Sequence, residues 1–404
     1  MKKCSAKIAT RGGEMGVGVV GEVFRDFVRE QVREIIIGVM SAEVECLCGP
    51  SHRPVTNGEF FRAGSAPGFI LHEGRRQDVI RPRVRRRVES GSSEAVLQTY
   101  AEAQDPSELR CRLLAALQAG VSGRDQSSLH APSTPGTSKS EVSRLWVQEG
   151  EKILSAFRSR NIKRDDWLVL MLDGVALDRD LVAVVALGIS ADGIKSLLDF
   201  ELGATENSDT AKSLLERLVR RGFSVSADCH LLAVLDGASA LKTAVSAYFP
   251  DAVFQRCLVH KERNLRRYLR RVDQPELSLH FDRLRKAEGE KAGCEAYSDL
   301  ENFLEKRNAA ALESLREGGE ELLGLHRLNV PATLNVSLLS TNLIENPFRN
   351  VRRKTNRVCR WRKDTNQASR WLAMSLLEAE KGFRRLRNYK DLTKLHQALR
   401  RSQE

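Results

Sequence analysis

The spacing of hydrophobic positions divides the chain before any single residue does. Residues 22–47 place Val23, Phe27, Val28, Ile35 and Val39 at helical intervals between charges, which predicts an amphipathic helix. From Gly49 to Gly74 glycine and proline break every pattern. The run Arg75–Arg87 then sets seven arginines against one aspartate and reads as a solvated arm. Pro106–Ala119 predicts a second amphipathic helix, followed by a polar Ser/Gly/Pro stretch over 122–138. Ser138 with Glu141 has the spacing of a capping box for a third helix, which carries Lys139, Ser140 and Arg144 near its start. Helix, polar turn and basic helix are compatible with a helix-turn-helix reader of DNA, as they are with any two helices joined by a loop.

Between Trp167 and His260 the period shortens. WLVLML (167–172), DLVAVVALGI (180–189) and KSLLDFEL (195–202) predict strands parted by turns at Asp173-Gly174 and Asp192-Gly193. The helix DTAKSLLERLVRRGF, the strand HLLAVLDG (230–237), the helix SALKTAVSAYF and the run AVFQRCLV complete an α/β layout with a mixed sheet. Residues 261–337 are charged, helical in pattern and without strand signals, so they read as a helical insertion within the α/β domain or appended to it. The predicted organisation is a helical and basic region over 1–100, a helix-turn-helix-like region over 101–160, the first part of the core over 161–262, the insertion over 263–338, and the last part of the core with basic C-terminal helices over 339–404.

Charge changes this picture most. Lys and Arg number 65 against 53 Asp and Glu, a net +12 over 404 residues, which disfavours an ordinary metabolic enzyme and points to a polyanionic partner. The excess is concentrated: residues 345–404 hold 17 Lys/Arg against 6 Asp/Glu, and 349–363 hold eight with no acid. With 29% charged and 41% hydrophobic residues, disorder over most of the chain is excluded. Apolar runs such as Leu181–Ile189 fall short of the roughly 18 residues that span a membrane, and the polar, glycine-rich start lacks a secretory core, so an intracellular protein is expected. Eight dispersed cysteines predict reduced thiols.

Several groups could carry chemistry. GVGVVG at Gly16–Gly21 fits a dinucleotide fingerprint by letter only, with no convincing strand before it and Glu43 inside a helix. Cys257 and His260 have a metal-compatible spacing, but no second Cys/His pair completes a zinc site, and a buried cysteine beside a helix-start histidine explains them as well. Asp173 and Asp236 each end an apolar strand and precede a glycine. On neighbouring strands they would converge, and in a protein that seeks polyanions the natural counter-charge is Mg2+, although Asp-Gly is also a common turn. Glu345, immediately before the basic run, is the candidate third acid; alone it would read as a glutamate favoured by a helix N-terminus.

The segments MLDG (Asp173), VLDGASALKTAVSAYFPDAVFQRCLVHKERN (Asp236 to Asn264) and STNLIENPFRNVRRKT (Glu345) together resemble the Mutator-type bacterial insertion-sequence transposases of the DDE class, over roughly residues 138–395. The resemblance implies an RNase H-like core with a helical insertion, Asp173, Asp236 and Glu345 as catalytic and metal-holding triad, and Cys257 with His260 as the C/H signature. It implies two Mg2+ ions, with Mn2+ as substitute. Arg349, Arg352, Arg353 and Lys354 would hold the DNA backbone, with His260, Arg263 and Arg266 lining the same groove. The implied partners are double-stranded DNA, both terminal inverted repeats and target, and a second copy of the chain on that DNA, in the nucleoid of a bacterial cytoplasm. The first twenty residues and the 122–138 linker depart from the family's pattern. The competing expectations are a non-catalytic DNA-binding regulator, including a decayed relative, and an RNase H-like nuclease acting on RNA-containing duplexes.

Overall fold

The protein's structure, a computed structural model, describes residues 17–53, 58–72, 75–89, 91–129, 136–204, 207–356, 358–362 and 364–401. Cys4, Gly16, the linker centre at 130–135, Arg357 and Lys363 lie outside the described residues. The chain forms two compact units, 1–146 and 147–404.

The first unit contains α1 (Val17–Cys48), β1 (Phe60–His72), β2 (Arg75–Val88), β3 (Gly91–Ala95), α2 (Gln98–Ala103) and α3 (Ser107–Ala119); the division falls within α4 (Lys139–Ser159). The serine half of the predicted capping box is present: Glu141 N–H donates to Ser138 Oγ at 3.3 Å, and the Ser138 hydroxyl in turn donates to the Glu141 carboxylate. Glu43 on α1 accepts the backbone N–H groups of Gln98 and Thr99 at 2.6 and 3.0 Å, and so caps α2.

The Arg75–Arg87 run is not a solvated arm, and the N-terminal helices are accompanied by a sheet that the sequence pattern did not predict. The run is the middle strand of an antiparallel sheet ordered β1-β2-β3, pairing from Phe60↔Arg86 to His72↔Arg75 on one side and from Val84↔Ala95 to Val88↔Gly91 on the other. Arginine can serve a sheet because its stem is apolar and its head covers rings. Arg76, Arg81 and Arg87 lie over Phe69, Tyr100 and Phe61 at 4.4, 4.9 and 5.2 Å from the ring centres. Arg81 also pairs with Glu94 at 3.1 Å. Val84 on the same strand joins Met40, Val44, Cys48 and Leu97 in the core beneath α1.

The second unit follows the predicted order: β4 (Trp167–Asp178), β5 (Leu181–Ser190), β6 (Lys195–Gly203), α5 (Ser208–Arg220), β7 (Leu232–Leu235), α6 (Ser239–Tyr248) and β8 (Val253–Arg256). The strands form one mixed sheet ordered β6-β5-β4-β7-β8. β5 runs antiparallel to β4 and β6, and β7 runs parallel to β4 and β8. β4 is buried on both faces, which is why it reads as an unbroken apolar run. Its Leu170 and Leu172 face α5 and α6 through Leu214, Leu218, Leu241 and Val245. Val169, Met171 and Val175 point the other way, because successive strand side chains alternate.

That second face is covered by helices: α7 (Leu258–Leu265), α8 (Gln274–Lys286), α9 (Gly289–Glu305), α10 (Ala309–Gly318), the short α11 (Gly324–Arg327) and α12 (Asn335–Leu338), then α13 (Asn342–Thr355), α14 (Gln367–Glu380) and α15 (Leu392–Ala398). The insertion is therefore within the domain. Phe281, Leu300, Leu304, Leu315 and Leu325 share one hydrophobic cluster with Met171, Val234, Ile344 and Phe348.

Candidate active site

Strand parity aims the first acid. Asp173 has the same parity as Val169 and Met171, so it faces the helices that carry α7 and α13. Parallel pairing of β4 with β7 runs from Val169↔Leu232 to Leu172↔Leu235, so the next residues on the two strands are Asp173 and Asp236, side by side on that face. Asp236 ends its strand at Gly237, whose φ of +106° suits glycine, and its Oδ1 accepts the Ala238 N–H at 2.8 Å.

The helices supply the rest. Cys257 is the N-cap of α7, its sulfur accepting the His260 backbone N–H at 3.5 Å. Thr341, fully buried just before α13, donates its backbone N–H to the same sulfur at 3.4 Å, and its Oγ1 lies 3.3 Å from His260 Nδ1. With one ring nitrogen held there, His260 turns Nε2 to Glu345 Oε1 at 3.1 Å. Glu345 sits in the first turn of α13, and Arg263 Nη1 approaches the same oxygen at 3.7 Å.

Among the described residues, the group close enough to share a metal ion is Asp173, His260 and Glu345, with one ligand atom of each within 4.8 Å of the others. Asp236 stands outside that group, yet its charge is felt by Asp173. Burial, reinforced by Asp236 and opposed by His260, raises the Asp173 carboxyl to about 7. Asp173 Oδ1 accepts the Gly174 N–H at 2.8 Å and the Thr341 hydroxyl also acts to hold the carboxyl down, whereas Oδ2 is buried and makes no hydrogen bond of ordinary length. His260 is raised to about 9 by its interaction with Cys257, which outweighs burial, and further by Asp173 and Glu345. An acid that keeps its proton beside an imidazole that gains one is what crowded carboxylates do when no stronger cation is bound.

The basic residues divide. Arg349, Arg352 and Arg353 are exposed along α13, and Arg263 is exposed at the end of α7. Arg266 remains half-exposed but is tied to Glu262 at 2.7 Å. Lys354 does not belong with the DNA-facing set: it is 8% exposed and follows the buried series Ile344, Pro347 and Val351 at helical spacing, where its charge acts on Glu378 of α14. Thr341, which joins Cys257 to His260, was missed in the sequence because nothing there marks a threonine as the hinge of two segments 84 residues apart.

A basic α/β protein that gathers three carboxylates and a histidine at one end of a mixed sheet, with exposed arginines alongside, has the construction of an enzyme acting on a phosphate polymer. Its sequence matches the family described as "Transposase, Mutator family" over residues 19–385, and the chain belongs to that family. It is 29% identical to the transposase for insertion sequence element IS905 of Lactococcus lactis over 66% of this chain and 67% of the relative. Identity is 30% to the transposase for IS6120 of Mycolicibacterium smegmatis, over 54% of this chain and 68% of that one. The transposase for IS1081 of Mycobacterium tuberculosis is 25% identical over a longer span, 82% of this chain and 80% of the relative.

Proposed function

We propose that the protein is a DDE-type DNA transposase that cuts and joins strands at the ends of an insertion sequence, with an RNase H-like core in which Asp173, Asp236 and Glu345 hold two Mg2+ ions, or Mn2+ in their place. The observation that carries the reading is the buried Asp173 carboxyl, whose Oδ2 makes no hydrogen bond, grouped with Glu345 and His260 closely enough to share an ion and near enough to Asp236 to feel its charge. Buried polar atoms are almost always satisfied, so an orphan oxygen in a cluster of hard donors suits a cation. The mixed sheet, with its first acid on the central strand, supports the RNase H-like fold.

Bound divalent ions would neutralise the scissile phosphate and lower the pKa of the attacking water or 3′-hydroxyl. The protein's own groups do the rest. Asp173 is fixed by the Gly174 N–H, and Glu345 is presented by the first turn of α13. His260, oriented by Thr341, holds a proton between the acids. Arg263, Arg349, Arg352 and Arg353 would grip phosphates without reading sequence. The substrates on this reading are terminal inverted repeats and target DNA, held by two or more copies, in the bacterial nucleoid. Among the described residues no helix is long and apolar enough to cross a membrane.

The test is substitution at each acid. Asp173→Asn, Asp236→Asn and Glu345→Gln should each abolish Mg2+-dependent cleavage and strand transfer on DNA carrying the element ends, while binding to those ends persists. Calorimetric titration with Mn2+ should show the lost ion without reference to activity. Cleavage that survives one change removes that residue from the site. A wild-type protein that binds ends and never cuts would be the DNA-binding regulator instead.

A further inference from the structure

We propose that Glu317, in the last turn of the insertion helix α10, is a positioning residue for the active site, acting through Arg256 and Lys261; the inference rests on the catalytic reading above. Arg256 ends β8 and is 7% exposed. Its two terminal nitrogens each lie 3.0 Å from Glu317 Oε1, and Nη2 reaches Oε2 at 2.9 Å. Lys261, on α7 and 1% exposed, donates Nζ to Glu317 Oε2 at 2.9 Å and to the Ser314 carbonyl at 2.6 Å. One carboxylate from the insertion thus balances two buried cations from the core.

Both cations abut the chemistry. Lys261 follows His260 in the chain. Arg256 precedes Cys257 and lies against the turn that carries Asp236: a Cβ added at Gly237 would stand 2.1 Å from Arg256 Nε. The neighbouring contacts point the same way. Gln255, fully buried, donates to the Leu322 carbonyl at 3.2 Å and accepts the Leu325 N–H at 2.8 Å, and Lys242 on α6 pairs with Glu321. The segment from Gln255 to Lys261 is therefore two-sided. His260 faces the acids and Cys257 faces His260 and Thr341, whereas Gln255, Arg256 and Lys261 grip the insertion between Ser314 and Leu325.

Glu317 has its side chain 60% exposed, so its removal leaves no cavity; what it leaves is two buried like charges without the one carboxylate that pairs with both, Glu321 acting on Lys261 only through space. Their repulsion would loosen the Gly237 turn on one side and the His260 turn on the other, moving Asp236 and His260 with respect to Asp173. Misplacement of about 1 Å at reacting groups can cost about a hundredfold in rate.

The experiment compares full-length wild type, Glu317→Ala and Glu317→Asp at a temperature where circular dichroism shows all three folded. It measures kcat and KM for end cleavage in Mg2+, and hydrogen–deuterium exchange across the chain. For Glu317→Ala the expected result is a fall in kcat of about tenfold to a hundredfold with KM unchanged. Faster exchange should be confined to 236–242 and 257–262, and Glu317→Asp should recover most of both. Wild-type kcat and exchange in Glu317→Ala would overturn the proposal. So would a loss of kcat with exchange raised evenly through the core, since that is general destabilisation. If the wild type does not cleave, the exchange pattern alone decides the role of Glu317, and the catalytic reading falls separately.

Discussion

Asp173 concentrates the chemistry of this site because its strand position buries it and its neighbours charge it. A carboxyl raised to about 7 is, below that pH, a proton-bearing group that a cation must first strip. The sign follows. Its folded pKa lies above the unfolded one, so the cation-free protein loses this group's stability contribution as pH rises from the ordinary carboxyl range toward 7. Mg2+ or Mn2+ offsets that loss, and more so the higher the pH. His260, raised to about 9, extends the same trend. The melting temperature gained on adding Mn2+ should therefore be small at pH 6 and larger at pH 8. In Asp173→Asn the gain should be small at both. Equal gains at pH 6 and pH 8 in the wild type would take Asp173 out of the cation site.

Elements show where the sequence could be read and where it could not. β4 to β8 with α5 and α6 were legible because period-two and period-3.6 patterns alternate cleanly, and the approach of the two aspartates was legible because parallel neighbours bring equivalent positions together. The turn expected at Asp173-Gly174 is absent, since both residues continue β4 and pair with Val185 and Val184 of β5. The share of His260 in the metal-sized cluster was not legible, since it depends on where α7 docks against a segment 85 residues away. The arginine strand β2 is illegible from net charge, because the rings that seat its arginines lie on β1 and α2. On α13 the charged run covers two faces of one helix, Arg349, Arg352 and Arg353 exposed and Lys354 buried. Its buried series was visible in the sequence and ends on Lys354. Two variants separate the faces. Charge reversal of Arg349, Arg352 and Arg353 should flatten the salt dependence of DNA binding by about 0.9 in log-log slope per lost phosphate contact, with the melting temperature little changed. Lys354→Ala should leave that slope alone and lower the melting temperature. A Lys354 variant that lost slope instead would put the lysine back on the DNA.

At the scale of the second unit, a single hydrophobic cluster runs from the sheet through the insertion to the C-terminal helices, so a local protonation in the insertion should be felt by the whole. His326 offers the handle. It is 2% exposed on α11, with Nε2 3.0 Å from the Leu284 carbonyl and Nδ1 buried without a hydrogen-bond partner. Burial lowers its pKa from the ordinary histidine value. The unfolded chain therefore binds a proton at a pH where the folded chain does not, so stability is fully present above the unfolded pKa and falls as pH drops below it. Asp173 and His260 push stability the other way, so the change in melting temperature from pH 7.5 to 5.5 is read against His326→Gln, which keeps a polar side chain and cannot titrate. The drop contributed by His326 should be missing there, and the wild-type unit should melt in one transition. An insertion that melted ahead of the sheet would show that the shared core does not couple them. A drop unchanged in the variant would assign the acid sensitivity to some other group.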